Sequence, residues 1–166
     1  MIESAKRKPD YFGDIKKYGE FGEQVFLDKY SADMEIVDVR KNPAYQKMDI
    51  DFLIAGQGKR FVGIDVKVDT TAIETGNLVY EVVSHARNGW AVTTKAKYIF
   101  VVMAREQEEL TAVRGFWLDM DAWREYCSRR DTAKEVKILG DEKIVNLLCP
   151  IYDLRNEKVI VKEVSF

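Results

Sequence analysis

The sequence predicts an α/β (α+β) fold, a central mixed β-sheet flanked by helices, and three observations predict it. Residues 15–30 carry apolar side chains at helical spacing; three short apolar runs with turn signals between the later ones follow; and a buried-strand pattern returns at residues 97–103. Helical and strand periodicities that alternate along one chain are satisfied by helices packed on a sheet.

Taken in order, the first helix is marked by Ile15, Tyr18, Val25, Phe26 and Leu27, with Asp14 as its expected N-cap, while Gly19 and Gly22 weaken it. Residues 34–39 alternate as a strand, Asn42 and Pro43 mark a turn, and residues 48–55 form a second apolar strand. Gly56, Gln57 and Gly58 signal a tight turn into a third strand at 61–68, so the first half reads as a helix and a three-strand meander. Residues 78–83 fit strand or helix, and Gly89-Trp90 closes that segment. Beyond the strand at 97–103 come a strand at 115–118 and a helix from Asp121 to about Arg130, with Trp123, Tyr126 and Cys127 on one side. Short strands are expected at 144–148, 151–153 and 159–164.

A chain of 166 residues with 46% hydrophobic content fits one domain spanning 1–166, with a core that needs no disulfide or structural metal. The longest apolar stretch, around residues 98–104, is far too short for a bilayer, and the first residues run directly into charge, so an intracellular (cytoplasmic) protein with no membrane partner is expected. Cys127 and Cys149 lack metal-ligand spacing and are read as reduced residues in or near the core. The single histidine, His85, excludes multi-histidine zinc chemistry and leaves carboxylates as the chemical groups. The net charge of −2 and pI near 5.6 argue against a strong nonspecific grip on nucleic acid. Local basic groups (Lys6-Arg7-Lys8, Lys16-Lys17, Lys95 with Lys97, Arg129-Arg130) are nevertheless available to form a groove.

The tripeptide Asp/Glu-x-Lys occurs four times, beginning at Asp14, Asp65, Glu135 and Asp141. Only Asp65-Val66-Lys67 ends an apolar strand and follows a tight turn from another strand that itself contains acids. Alternate residues of a strand share a face, so Asp65 and Lys67 project together, and the same parity groups Asp49 with Asp51. A hairpin folded about Gln57 sets Asp49 opposite Asp65; a register centred one residue later sets Asp51 there instead. Two close carboxylates are costly without a cation between them, and an oxygen-only site suits Mg²⁺ or Mn²⁺.

Residues 49–54 (Asp-Ile-Asp-Phe-Leu-Ile) and 63–67 (Gly-Ile-Asp-Val-Lys) resemble motifs two and three of the PD-(D/E)xK nuclease superfamily, the group of restriction endonucleases, Holliday-junction resolvases and phage exonucleases. Residues 19–23, Gly-Glu-Phe-Gly-Glu, resemble the Gly-Glu motif of its first helix, with Glu23 the better match and Glu20 one turn away. Residues 75–81, Gly89-Trp90 and the strand at Tyr98 are similar to small phage-type members; Asp65 stands where Glu is commoner, and no second helix is obvious between Asp69 and Trp90.

The resemblance implies a restriction-endonuclease-like core and a metal-dependent deoxyribonuclease, with DNA as partner and a homodimer as a common assembly. It implies that Asp51 or Asp49, with Asp65 and the Val66 carbonyl, holds Mg²⁺ or Mn²⁺, that Lys67 orients or helps deprotonate a water, and that Glu23 or Glu20 completes the metal site. Asn77 and Glu81 are secondary candidates for substrate or metal-shell contacts, although Asn77 after Gly76 is also ordinary turn chemistry. Trp90, Trp117 and Trp123 are assigned to packing and His85 to a structural hydrogen bond. The reading from another class is a noncatalytic DNA- or protein-binding module that keeps the fold, which the acidic pI favours.

Overall fold

The computed structural model describes residues 11–166 apart from 57–58, 132 and 140–141. Helix α1 (Tyr11–Tyr30) leads into β1 (Glu35–Asp38), the single turn α2 (Pro43–Gln46), β2 (Phe52–Ala55) and β3 (Val62–Asp69). There follow α3 (Ala72–Thr75), β4 (Asn77–Ser84), β5 (Arg87–Asn88), α4 (Trp90–Thr93), β6 (Tyr98–Glu106) and β7 (Leu110–Asp119). The chain ends with α5 (Met120–Arg129), β8 (Ala133–Leu139), β9 (Glu142–Pro150), α6 (Ile151–Asn156) and β10 (Ile160–Ser165).

Six strands form a mixed central sheet in the order β1-β2-β3-β6-β7-β10, in which β3 and β6 are parallel and the other neighbours antiparallel. Strands β5-β4-β9-β8 form a second, antiparallel sheet. Alternation along β6 explains the layering. Phe100 and Val102 point to one side, where α1 seats Phe26 and Tyr30 among Phe52, Ile64, Val66 and Trp117. Ile99, Val101 and Met103 point to the other, against Leu78 and Tyr80 of β4, Trp123 and Tyr126 of α5, and Leu154 of α6. Trp117 donates its indole N–H to Tyr30 Oη at 2.7 Å and Trp123 donates to Cys149 Sγ at 3.4 Å, so both buried indoles are satisfied. The two free thiols lie 3.8 Å apart, Cys149 buried and Cys127 partly so. No described helix is long and apolar enough to cross a membrane.

The meander is as expected, but its second strand is shorter. Regular pairing starts only at Phe52, because Met48 to Ile50 are drawn into the turn after α2: Ile50 N–H donates to the Tyr45 carbonyl and Asp49 has φ of 49°. Asp49 and Asp51 therefore do not share a strand face. Asp14 lies inside α1 and is not its N-cap. The cap of α5 is Asp119, whose carboxylate accepts from the N–H groups of Asp121 and Ala122, in place of Asp121.

Residues 151–153 are helical, not extended: Pro150 fixes the entry, and Ile151 and Leu154, three apart, bury one face of α6. The ambiguous segment at 78–83 is a strand because Leu78 and Tyr80 alternate into the core while the ladder to β9 satisfies its backbone. Between Asp69 and Trp90 the chain supplies α3, β4 and β5 in place of a long second helix. Gln57, Gly58, the Lys6-Arg7-Lys8 group and Asp141 lie outside the described residues.

Candidate functional site

Register decides which acid meets Asp65. Phe52 pairs with Ile64 and the Asp51 N–H donates to the Ile64 carbonyl at 2.8 Å, so the ladder brings Asp51, not Asp49, abreast of Asp65. The Asp51 carboxylate then folds over the end of its own strand, and Oδ2 accepts the Val66 N–H at 2.8 Å. A strand residue turns its N–H and C=O to the same edge, so the Val66 carbonyl also faces the opening left where β2 stops.

Asp65 and Lys67 occupy the face of β3 whose neighbours on β6 are the buried Ile99 and Val101. Asp65 is 2% exposed; its Oδ1 accepts from Lys67 Nζ at 2.8 Å and its Oδ2 is buried with no hydrogen-bond partner among the described residues. Burial raises its carboxyl to about 7; the Lys67 ammonium opposes the rise and the Asp51 carboxylate adds to it. Burial works against the charge of Lys67, but the Asp65 carboxylate outweighs it and the ammonium is held more firmly than usual. The Lys67 side chain keeps 31% of its surface exposed, and Nζ lies 5.6 Å from the centre of the Trp90 ring.

Glu23 arrives from the opposite face of the sheet. Gly22 sits directly on β3, where a Cβ would stand 2.5 Å from Val68 Cγ2 and 3.3 Å from Val66 Cγ1, so the glycine read as a weakness of the helix lets α1 lie close to the strand. Glu23 is bonded to the Arg40 guanidinium, which also grips Asp38 and lies over the Phe52 ring at 4.9 Å. Burial raises the Glu23 carboxyl, Arg40 lowers it, and Asp51 is near enough to raise it again. Glu20 is not brought to this place: it is exposed and makes an ion pair with Lys16 at 3.6 Å.

Asp49 is held elsewhere on the rim, its carboxylate accepting from the Thr93 hydroxyl and its carbonyl from the Thr94 hydroxyl at 3.1 Å. A non-glycine residue at positive φ is tolerated more readily by Asp than by most residues, and these two threonines hold it there. Asn77 opens β4 and donates its amide to the Thr75 carbonyl at 3.0 Å, while Glu81 Oε1 accepts from the Trp90 N–H at 3.4 Å.

Arg40, Thr93 and Asn146 were not found by sequence reasoning. Arg40 and Thr93 have no periodicity to mark them, and the contacts that tie them to Glu23 and Asp49 span 17 and 44 residues. Of the basic residues available for a groove, Lys97 is paired with Asp119 and Asp121, and Arg129 and Arg130 with Glu157.

A buried carboxylate oxygen without a partner, beside a second carboxylate and an edge carbonyl, is a set of hard oxygen donors that fits Mg²⁺ or Mn²⁺; Mg²⁺ is commonly held by one or two carboxylates together with substrate phosphate. Among the described residues no group of three or more His, Cys, Asp or Glu is gathered as a metal cage. The fold and the site together define a mixed α/β protein with a carboxylate pair and a lysine at the end of a central strand. Comparison with protein-family models, curated proteins and solved structures finds no match for this chain.

Proposed function

We propose that the protein is a Mg²⁺- or Mn²⁺-dependent deoxyribonuclease with a restriction-endonuclease-like core, and that it hydrolyses phosphodiester bonds of DNA. The observation that carries this reading is the Asp51–Asp65 pair with its orphaned buried Oδ2, set beside Lys67. Asp51, Asp65 and the Val66 carbonyl would hold the ion; once bound, it supplies a positive centre that polarises the phosphodiester and acidifies water. Lys67 supplies a fixed ammonium that orients the attacking water and offsets charge developing on the phosphate. Glu23, neutralised by Arg40, borders the approach, and Asp49 helps keep Lys67 charged.

The test is cleavage of labelled linear, branched and single-stranded DNA in Mg²⁺, Mn²⁺ or EDTA. Metal-dependent cutting is expected in the wild type and a loss of at least about a hundredfold in Asp65→Ala and Lys67→Ala. Normal cutting by both variants would remove the assignment.

The pairing of Glu23 with Arg40 favours a second reading, a noncatalytic module of the same fold whose acids are neutralised internally. It requires DNA or protein binding without turnover in any of the three conditions.

A further inference from the structure

A cleft of about 400 Å³ opens beyond the carboxyl end of β3, between that strand and the second sheet, where Val79, Asn146 and Leu148 line it. Carboxyl ends of parallel strands are where open α/β sheets bind ligands, and 400 Å³ lies within the range of small-molecule pockets. Its walls combine apolar and aromatic surface (Val79, Leu148, Trp90) with Asn146 and the partly exposed side chain of Lys67.

Asn146 is the second pointer. It stands mid-strand on β9, between Glu81 of β4 and Glu135 of β8, and is 9% exposed. Its amide nitrogen reaches Glu135 only at 3.5 Å, and its Oδ1 has no partner among the described residues. A buried amide left open in a strand interior costs stability unless something else uses it. An amide offers a donor and an acceptor side by side, the pattern that reads the edge of a nucleobase, and a neighbouring carboxylate accepts from an exocyclic amino group.

We propose that this cleft receives a single unpaired or extruded nucleobase of the DNA substrate, read by Asn146 and flanked by Trp90, with the adjoining phosphate at Lys67. This rests on the deoxyribonuclease reading for its choice of substrate. Lys67 belongs to both places, so a base in the cleft sets its own phosphate beside the Asp51–Asp65 pair. The protein therefore prefers DNA with unpaired nucleotides to a fully paired duplex.

The experiment is equilibrium binding in EDTA of a labelled duplex carrying one unpaired adenine, against the same duplex fully paired. Wild type is expected to bind the unpaired form about tenfold or more tightly. Asn146→Leu and, as a cleft-filling variant, Val79→Phe are each expected to abolish that preference while leaving affinity for the paired duplex unchanged, with thermal melting to confirm that each is folded. Equal affinity of the wild type for both duplexes, or a preference that survives in both folded variants, would overturn the proposal. Because binding is read without metal, absence of cleavage overturns the nuclease reading alone, and cleavage without the binding preference overturns the cleft alone.

Discussion

At the scale of single residues the decisive group is Asp65. Its carboxyl is raised by burial to about 7, against roughly 4 in an unfolded chain, so between these values the folded protein binds more protons than the unfolded one. Its contribution to stability is therefore complete below about pH 4 and is lost as pH rises through about 7, on the order of a few kcal/mol. Glu23, also raised by burial, acts in the same direction, whereas Asp38, Asp119 and Glu163 are lowered and change stability only at more acidic pH.

In EDTA the melting temperature is expected to fall from pH 5 to pH 8, and Asp65→Asn is expected to remove most of that fall. A slope unchanged in the variant would locate the effect elsewhere. Added Mg²⁺ or Mn²⁺ favours the ionised pair, so its stabilisation is expected to grow over the same interval. Asp65 and Lys67 were legible in the sequence because two-residue parity is a local rule; the choice between Asp49 and Asp51 was not, because it depends on the hairpin register and on a turn that takes Asp49 out of the strand.

At the scale of elements, the contact between α1 and β3 depends on Gly22. A methyl group there meets Val68 and Val66, which branch at Cβ and have little room to turn away. Gly22→Ala is expected to lower stability by about 1–3 kcal/mol in chemical denaturation, despite the better helix propensity of alanine. Gly19→Ala, with nothing within 4 Å of its added carbon, is expected to be neutral or stabilising. A gain in stability from Gly22→Ala would mean that the helix can shift without cost.

The β4–β5 hairpin turns through His85 and Ala86, at φ of 47° and 60°, the two-residue turn that asparagine and glycine favour. Ala86→Gly is expected to raise stability by about 1 kcal/mol, and a loss would show that the side chain contributes more than its backbone costs. Elements with a buried stripe were readable in advance. Strand β8 was not, because Val136 and Ile138 are 51% and 72% exposed and its pattern carries no core-facing period. Helix α6 was misread because six residues present the same apolar spacing to either period.

At the scale of the whole molecule, the class was legible because helix and strand periods alternate, and the meander was legible because its three strands are adjacent in both sequence and space. The second sheet was hidden because it joins β4 to β9 across 57 intervening residues, and no local pattern records such a partnership. That sheet supplies the far wall of the cleft, from β8 and β9, whereas the carboxylate pair beside it is built from residues before 70.

The same long-range ladder orders events on the ribosome. Of its two partners among the described residues, β4 meets the two-residue β5 directly after it in the chain, and its other edge waits for Glu142–Pro150. During that interval the growing chain carries an unpaired eight-residue edge, the kind of surface that recruits strands from neighbouring chains. Synthesis speed across residues 85–150 thus governs how long each new molecule is exposed to aggregation, and the carboxylate pair can be in place well before the wall that faces it.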